Sequence, residues 1–440
     1  MGSKWVTTTL GDIALGRDGA VDGPFGSNLP ASCYQDVGIP VVRGSNLSVG
    51  LGEFKDDGFV YVSDSTFDKL SRSECKVGDI VFTKKGTLGQ TGLITSEHKF
   101  DRYLLSSNQM RLRVDPTKAI PEYVYFCVSS KKTILKLIKD SESTGVPKIN
   151  LAYLKSIQIE LPSIEIQKEI IGHLGALNSK ITLNNQINQT LEQMAQTLFK
   201  SWFVDFDPVK AKMNGEHPKG MDAATVSLFP EKLVESELGL IPEGWEASSM
   251  GEHFNVTMGQ SPKGETYNED GEGIAFFQGR RDFGFRFPDV RVFTTDPKRY
   301  AKAGDTLISV RAPVGDKNMA AIDCCIGRGV GAIKHKSDSR SFTYAFVSHI
   351  EKKLGESGSS GTVFSSINQK ELKKVSFVAP PQELVEAFHN LVDPIDQKVE
   401  VLSKEIDSLS QLRDTLLPKL LSGEIDLESL PVEQAKALAE

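Results

Sequence analysis

In this 440-residue chain the side chains best equipped for chemistry are cations, amides and hydroxyls placed beside glycine. Arg43, Ser45 and Asn46 follow the strand-like run Ile39-Pro40-Val41-Val42, and Lys84, Lys85 and Thr87 sit on the turn Lys84-Lys85-Gly86-Thr87-Leu88-Gly89. Gln278, Arg280 and Arg281 follow a second strand-like run, Ile274-Ala275-Phe276-Phe277. Arg311 and Lys317 flank Arg311-Ala312-Pro313-Val314-Gly315. Lysine, arginine and backbone amides bind phosphate oxygens, while Arg, Lys, Asn, Gln and Ser hydrogen-bond base edges. These groups can therefore recognise a nucleic acid, although residue types alone do not choose that partner over another polar one. Phe276 to Arg291 adds four arginines against two aspartates, interleaved with phenylalanines. Such interleaving suits a nucleic-acid face, and equally suits phenylalanines in a core with solvated arginines.

Residues for bond-making are missing. An amino-methyltransferase needs an Asn- or Asp-Pro-Pro-aromatic tetrapeptide, and Asp207-Pro208-Val209 lacks the second proline and the aromatic. Gly215 to Gly220 has the spacing of a phosphate-binding loop, but Met221 stands where Lys is required. Gly327, Gly329 and Gly331 form a lone G-x-G-x-G between strand-like runs, which reads as a turn. The histidines form no H-x-x-x-H pair, so metal catalysis has no support. Ser357 to Gly361 lacks the strand–turn–helix frame of a nucleophile elbow. The expectation is a chain with no catalytic residues and no metal.

The elements that hold the recognition turns are written twice. Lys76-Val77-Gly78-Asp79-Ile80-Val81 returns as Lys302-Ala303-Gly304-Asp305-Thr306-Leu307, 226 residues later. Gly145 to Asn150 answers Gly361 to Asn368, with the Ile-Asn pairs 218 apart. Both copies run through a short strand, Ser156 to Leu161 and Val375 to Ala379, meet Pro162 or Pro380, and enter a helix. Ile39 to Gly44 parallels Ile274 to Gly279. The drifting offset is what unequal loops on one shared fold produce.

Length allows two cores. The net charge of −7 divides unevenly: +2 over residues 1–160, −3 over 161–240, +2 over 241–380 and −8 over 381–440. The acidity sits in the spacers, and the two larger segments permit nucleic-acid binding without arguing for it. Five scattered cysteines with no C-x-x-C pair suit a reducing compartment. No apolar run is long enough for a membrane, and residues 1–20 lack a secretory apolar region; the expected location is cytoplasmic.

The spacers carry helical periodicity. Ile166, Ile170, Leu174, Leu177, Ile181, Ile187, Leu191, Met194 and Leu198 recur mostly at steps of three and four. So do Leu384, Phe388, Leu391, Ile395, Val399, Leu402, Ile406, Leu409 and Leu416, with Asp393-Pro394 reading as a helix restart. Each seam calls for a partner helix, and the other copy is the natural one. Asn184, Asn185 and Asn188 interrupt the first seam, either as register-setting polar groups or as solvated ones. Roughly 30 residues make a rod of about 45 Å.

With these pieces assembled the chain resembles the specificity subunits of type I restriction–modification systems. The resemblance spans almost the whole length. It is carried by Asp22-Gly23-Pro24-Phe25-Gly26-Ser27, Ile39 to Leu47, Gly78 to Ile94 and Ile149 to Ile170. It continues through Ser201 to Ala211, Gly239-Leu240-Ile241-Pro242-Glu243-Gly244-Trp245 and Leu417 to Ile425.

The resemblance implies an α+β fold. Two similar mixed α/β target-recognition domains, residues 1–160 and 241–380, would form a pseudo-two-fold repeat. A central helical spacer with linker (161–240) and a C-terminal helical spacer with acidic tail (381–440) would pair as long antiparallel helices in a coiled coil. It also implies a non-catalytic subunit that binds double-stranded DNA, each domain reading one half of a split site. Partners would be two methyltransferase subunits, bringing S-adenosylmethionine, and restriction/translocase subunits, bringing ATP and magnesium; no cofactor would belong to this chain. Because Pro24-Phe25-Gly26-Ser27 is only loosely matched near Gly259-Gln260-Ser261-Pro262, the two halves should read different sequences. Trp202, Phe203 and Phe206, after a helix, suit a partner interface or packing on the companion helix. The rival readings are a protein–protein scaffold on a coiled-coil rod and a fused methyltransferase, the latter weakened by the missing motifs.

Overall fold

The computed structural model describes residues 5–52, 54–141, 146–356 and 366–425. Gly145, the Ser357–Gly361 loop, the start of the second Gly-to-Asn repeat and the tail beyond Ile425 lie outside the described residues. The chain forms two compact units: residues 1–183 with 406–440, and residues 184–405. These cut across a division into four consecutive segments, because each unit takes part of both long helices.

In the first unit one sheet runs in the order Ala20–Asp22, Gln109–Arg113, Asp79–Thr83, Gln90–Leu93, Ser48–Val49, all antiparallel. A second runs Val60–Val62, Ile39–Val42, Arg102–Leu105, Glu74–Lys76, with its central pair parallel. In the second unit the order Phe254–Met258, Val330–His335, Thr306–Ser309, Lys317–Met319 matches the first sheet. The strands Phe293–Thr294, Ile274–Phe277, Cys324–Ile326 and Tyr300–Ala301 match the second, again with a parallel central pair. The ribbon of Val6–Thr9 with Gln158–Leu161 is matched by Glu246–Ser249 with Ser376–Ala379. The sequence repeat is thus a repeat of strand order and direction.

The central strand of each unit explains its unbroken apolar run. Ile80 and Phe82 enter one core while Val81 enters another, so both faces of Asp79–Thr83 are covered. Ile308 and Leu307 divide the same way. The Lys-x-Gly-Asp motif that opens this strand is a turn. Asp79 and Asp305 each accept the backbone N–H of the Lys three residues earlier, at 2.8 Å. Gly78 and Gly304 adopt φ 87° and 90°, a conformation a side chain would strain. After the Ile-Asn pairs, Asn150 and Asn368 each cap a short helix by accepting from its first-turn amides.

The two long helices, Ile164–Phe203 and Gln382–Leu421, are 40 residues each. In the first unit Ile170 and Leu174 share a core with Leu417 and Leu420, and Arg413 Nη1 donates to Asn178 Oδ1 at 3.0 Å. In the second, Ala195, Phe199, Trp202 and Phe203 share a core with Leu384, Val385, Phe388 and Val392, and Asn188 Nδ2 donates to Ser403 Oγ at 3.4 Å. Within each unit the helix portions therefore run antiparallel.

Two expectations are corrected here. The second helix does not restart at Asp393-Pro394; it is continuous through Pro394. Phe388, Val392 and Val399 are buried around that point, and Asp393 accepts from Arg340 Nε at 2.7 Å instead of capping a helix. Tertiary packing outweighs the one amide that proline removes. Asn184 and Asn188 are not solvated: both are 1% exposed, and Asn184 has no hydrogen-bond partner among the described residues.

Candidate nucleic-acid interface

Strand order gathers the recognition turns at one end of each unit. In the first, Ile39–Val42 runs parallel to Arg102–Leu105, so Arg43–Asn46 and Ser106–Gln109 emerge side by side, and Ser106 N donates to Val42 O at 3.0 Å. The neighbouring strand ends at Thr83, whose hydroxyl donates to Gln90 Oε1 at 3.1 Å, and Lys84 N donates to Asn108 O at 2.8 Å. A Cβ at Gly44 would lie 3.1 Å from Gln90 Oε1 and 3.7 Å from Gln109 Nε2, so the first turn lies directly over the second. Gly86 N and Lys84 O bond to Pro147 O and Ile149 N, bracing the turn from below. The result is a polar surface on which Ser45, Lys85 and Thr87 are exposed.

The second unit repeats this end with other side chains. Gly329 N donates to Gln278 O at 3.1 Å, and Val310 N to Gly329 O at 2.9 Å. Arg280 Nη1 meets Asp316 at 2.7 Å, joining the turn after Ile274–Phe277 to the turn after Thr306–Ser309. Ile367 N donates to Val310 O, the counterpart of the Ile149–Lys84 bond. Gln278, Arg280, Arg281 and Arg311 are exposed here, and Arg328 is exposed on the Gly327–Gly329 turn.

Several named residues are occupied elsewhere. Asn46 is 1% exposed. Its amide clips its own loop, donating to Lys55 O and Asp57 O and accepting from Arg43 N. Arg43 is half-buried and donates to Gly58 O at 2.9 Å. Lys84 is partly neutralised by Asp22 at 3.0 Å. Lys317 pairs with Glu351 at 2.6 Å with its ammonium 5.6 Å over the Tyr344 ring, so it is a packing cation and not a free one. Of the four arginines in Phe276 to Arg291, Arg286 is buried in ion pairs and Arg291 pairs with Asp282. Arg280 and Arg281 remain on the surface.

The family model for the type I restriction modification DNA specificity domain matches residues 3–193 and 242–411, one copy per repeat. The chain belongs to this family. It is a DNA sequence-specificity subunit, similar along most of its length to others. The MjaX specificity subunit of Methanocaldococcus jannaschii is 30% identical over 402 residues, covering 89% of this chain and 88% of that one. The type I restriction enzyme HindI specificity subunit of Haemophilus influenzae is 27% identical over 485 residues, covering 96% and 100%. The crystal structure of the type I system S subunit from M. genitalium shares the fold, with a TM-score of 0.52 at 17% identity and 96% coverage of both chains. Among the described residues of this specificity subunit no helix is long and apolar enough to cross a membrane.

The aromatic cluster after the first long helix is a core. Trp202 and Phe203 are 4% and 7% exposed, packed in tilted and edge-to-face contacts with Phe199, Phe229, Trp245, Phe342 and Phe388. Phe206, in the left-handed region at φ 56°, sets its ring 5.6 Å from Trp245. A partner-facing role for Trp202 and Phe203 is corrected: the helix they close needs them to seat its own unit. Sequence reasoning also passed over Arg328 and Asn108, both exposed at this end. No sequence signal marked them: it is the parallel pairing of Leu105 and Ile326 with the matched strands that sets the residues after those ends beside Arg43 and Gln278.

Proposed function

We propose that this chain is the non-catalytic reader of a bipartite, asymmetric DNA site. Each repeat reads one half through its strand-end surface, and the long helices hold the halves apart and dock two methyltransferase subunits. The observation that carries this reading is the duplicated surface with different side chains. Ser45, Lys84, Lys85, Thr87 and Asn108 line one copy; Gln278, Arg280, Arg281, Arg311 and Arg328 line the other. Arginine suits bidentate contact with guanine and glutamine with adenine, so the second surface favours different bases from the first. S-adenosylmethionine chemistry would belong to the methyltransferases, and ATP and magnesium to the restriction subunits.

The test is to co-express the chain with its neighbouring methyltransferase and map N6-methyladenine across the host genome by long-read sequencing. A split, asymmetric motif that vanishes when this gene is omitted supports the proposal. An assembled, S-adenosylmethionine-binding complex that methylates no defined motif overturns it in favour of a scaffold.

A further inference from the structure

Phe25 is the most exposed large hydrophobic side chain among the described residues, at 81%. Its loop is not loose. Val21 on one side and Leu29 on the other are buried in separate cores. Asn28 N donates to Phe25 O at 2.8 Å, closing a single 3-10 turn over Gly26–Asn28. Gly23 N donates to Gln109 O at 2.9 Å, and a Cβ on Gly23 would fall 2.0 Å from Ser106 O, so only glycine lets the loop press onto the strand-end surface. Asp22 holds Lys84 at the same place. The phenyl ring is thus carried on a braced turn at the margin of the polar surface that reads DNA.

The second repeat opens its matching loop with the same glycine contact and carries no ring there. Gly259 N donates to Val330 O at 2.9 Å, and a Cβ there would lie 2.1 Å from Gly327 O. Next along the chain come Gln260, exposed, Ser261, whose hydroxyl accepts from Arg328 N, and Pro262, buried. The glycine contact is kept, but the 3-10 turn begins five residues after Gly259 and three after Gly23, and the exposed ring at the second position after the glycine belongs to the first repeat.

We propose that Phe25 is an apolar wedge, set by the first recognition domain against a base step of its own half-site and unstacking it. Proteins that deform DNA place rigid apolar side chains in this way, flanked by polar groups that hold the backbone. Lys84, Lys85 and Ser45 supply that flank. The proposal rests on the DNA-reading function and adds a specificity element to one half of it, because steps that unstack easily are favoured at a wedge.

The experiment uses the full complex with methyltransferase and duplexes carrying the motif found by methylome mapping, with 2-aminopurine placed at successive positions of each half-site. The methyltransferases flip their target adenine in each half-site, so those two positions should brighten in every variant. Wild type should show one further bright step in the first half-site, away from the target adenine, and no further step in the second. Phe25→Ala should lose that signal and bind roughly tenfold more weakly, and a mismatch at the step should restore most of the affinity. Phe25→Trp should keep the signal. Unchanged fluorescence and affinity in Phe25→Ala overturn the wedge, as does failure of Phe25→Ala to assemble with methyltransferase, which would make the ring a protein contact. If wild type itself binds no defined motif, the reading function fails first, and visibly so.

Discussion

Arg286 and Arg413 join recognition domain to long helix from opposite partners. Arg286 stands nine residues past the strand Ile274–Phe277 (277 to 286) and belongs to the domain. It reaches Glu192 at 2.6 Å and Asp396, both on the long helices, with its guanidinium 3.7 Å over the Tyr344 ring. Arg413 belongs to the second helix. It reaches the carbonyl of Leu51 at 3.1 Å, nine residues past the matched strand Ile39–Val42 (42 to 51), and Asn178 at 3.0 Å. The domain supplies the cation in one unit and the helix supplies it in the other. A duplicated chain with mirrored docking chemistry would let either domain seat at either position; this one distinguishes them.

Arg286→Ala strands two carboxylates at a site where Arg286 is 2% exposed. Removing one partner of a buried ion pair costs about 3–5 kcal/mol. Urea unfolding followed by tryptophan fluorescence should show this in the second unit, where Trp202 and Trp245 both report. Arg413→Ala loses hydrogen bonds to two neutral groups and an ion pair with the exposed Asp414, and should cost less, about 1–2 kcal/mol. Equal losses would mean that the inverted polarity carries no energetic weight.

Asn184 and Asn188 offer the opposite sign. Buried amides with unmet hydrogen bonds hold a helix pair below its achievable stability. Asn184→Leu should raise stability by about 1–2 kcal/mol, and the double substitution with Asn188→Leu should raise it further. Thermal melts check the gain. A loss of stability would mean that these amides are satisfied by ordered water.

His335 makes the second unit acid-sensitive. Burial among Phe254, Phe342 and Phe377, helped by His253 and Lys336, lowers its pKa to about 4. Its Nδ1 accepts from Ser337 N at 3.2 Å. The folded pKa lies below the unfolded value near 6.5. The contribution is therefore full above about pH 6.5, drains away as pH falls toward 4, and is constant below. Its size is about 3 kcal/mol. Comparing stability at pH 7 and pH 4.5, His335→Gln should lose less than wild type; an identical loss would assign the acid sensitivity to carboxylates.

Reading residues and scaffold residues should separate by phenotype. Arg281→Ala or Arg328→Ala should relax the motif at positions of one half-site only, by about 1–3 kcal/mol per base contact. Lys85→Ala should weaken binding to all sequences and reduce the salt slope by about one unit. Asn46→Ala should lower the melting temperature by unpinning its loop without altering the motif. Methylome mapping of each variant distinguishes the three. A motif change from Asn46→Ala that leaves stability untouched would return it to the reading surface.

Legibility followed periodicity and repetition. The duplicated Lys-x-Gly-Asp and Ile-Asn motifs were readable as repeats and the spacers as apolar stripes, because recurrence is written in residue order; that the first motif is a positive-φ turn and the second a helix cap came from the structure. Exposure was less readable. Arg280 and Arg286 are six residues apart in one arginine-rich run, yet one lies on the surface and the other is buried against Glu192 and Asp396. Nothing local to Arg286 announces two acids on distant helices.

By itself, then, the sequence determined that the chain is a duplicated domain alternating with long amphipathic helices, since those features are written in residue order. Tertiary structure decided which cations stay free to meet DNA. It buried Asn46 and Trp202, paired Lys317 with Glu351, carried the second helix straight through Pro394, and brought Arg328 and Asn108 beside turns far away in the chain. Local propensity fixes where an element forms, but the partners that compete for each polar side chain are set only when strands and helices pack.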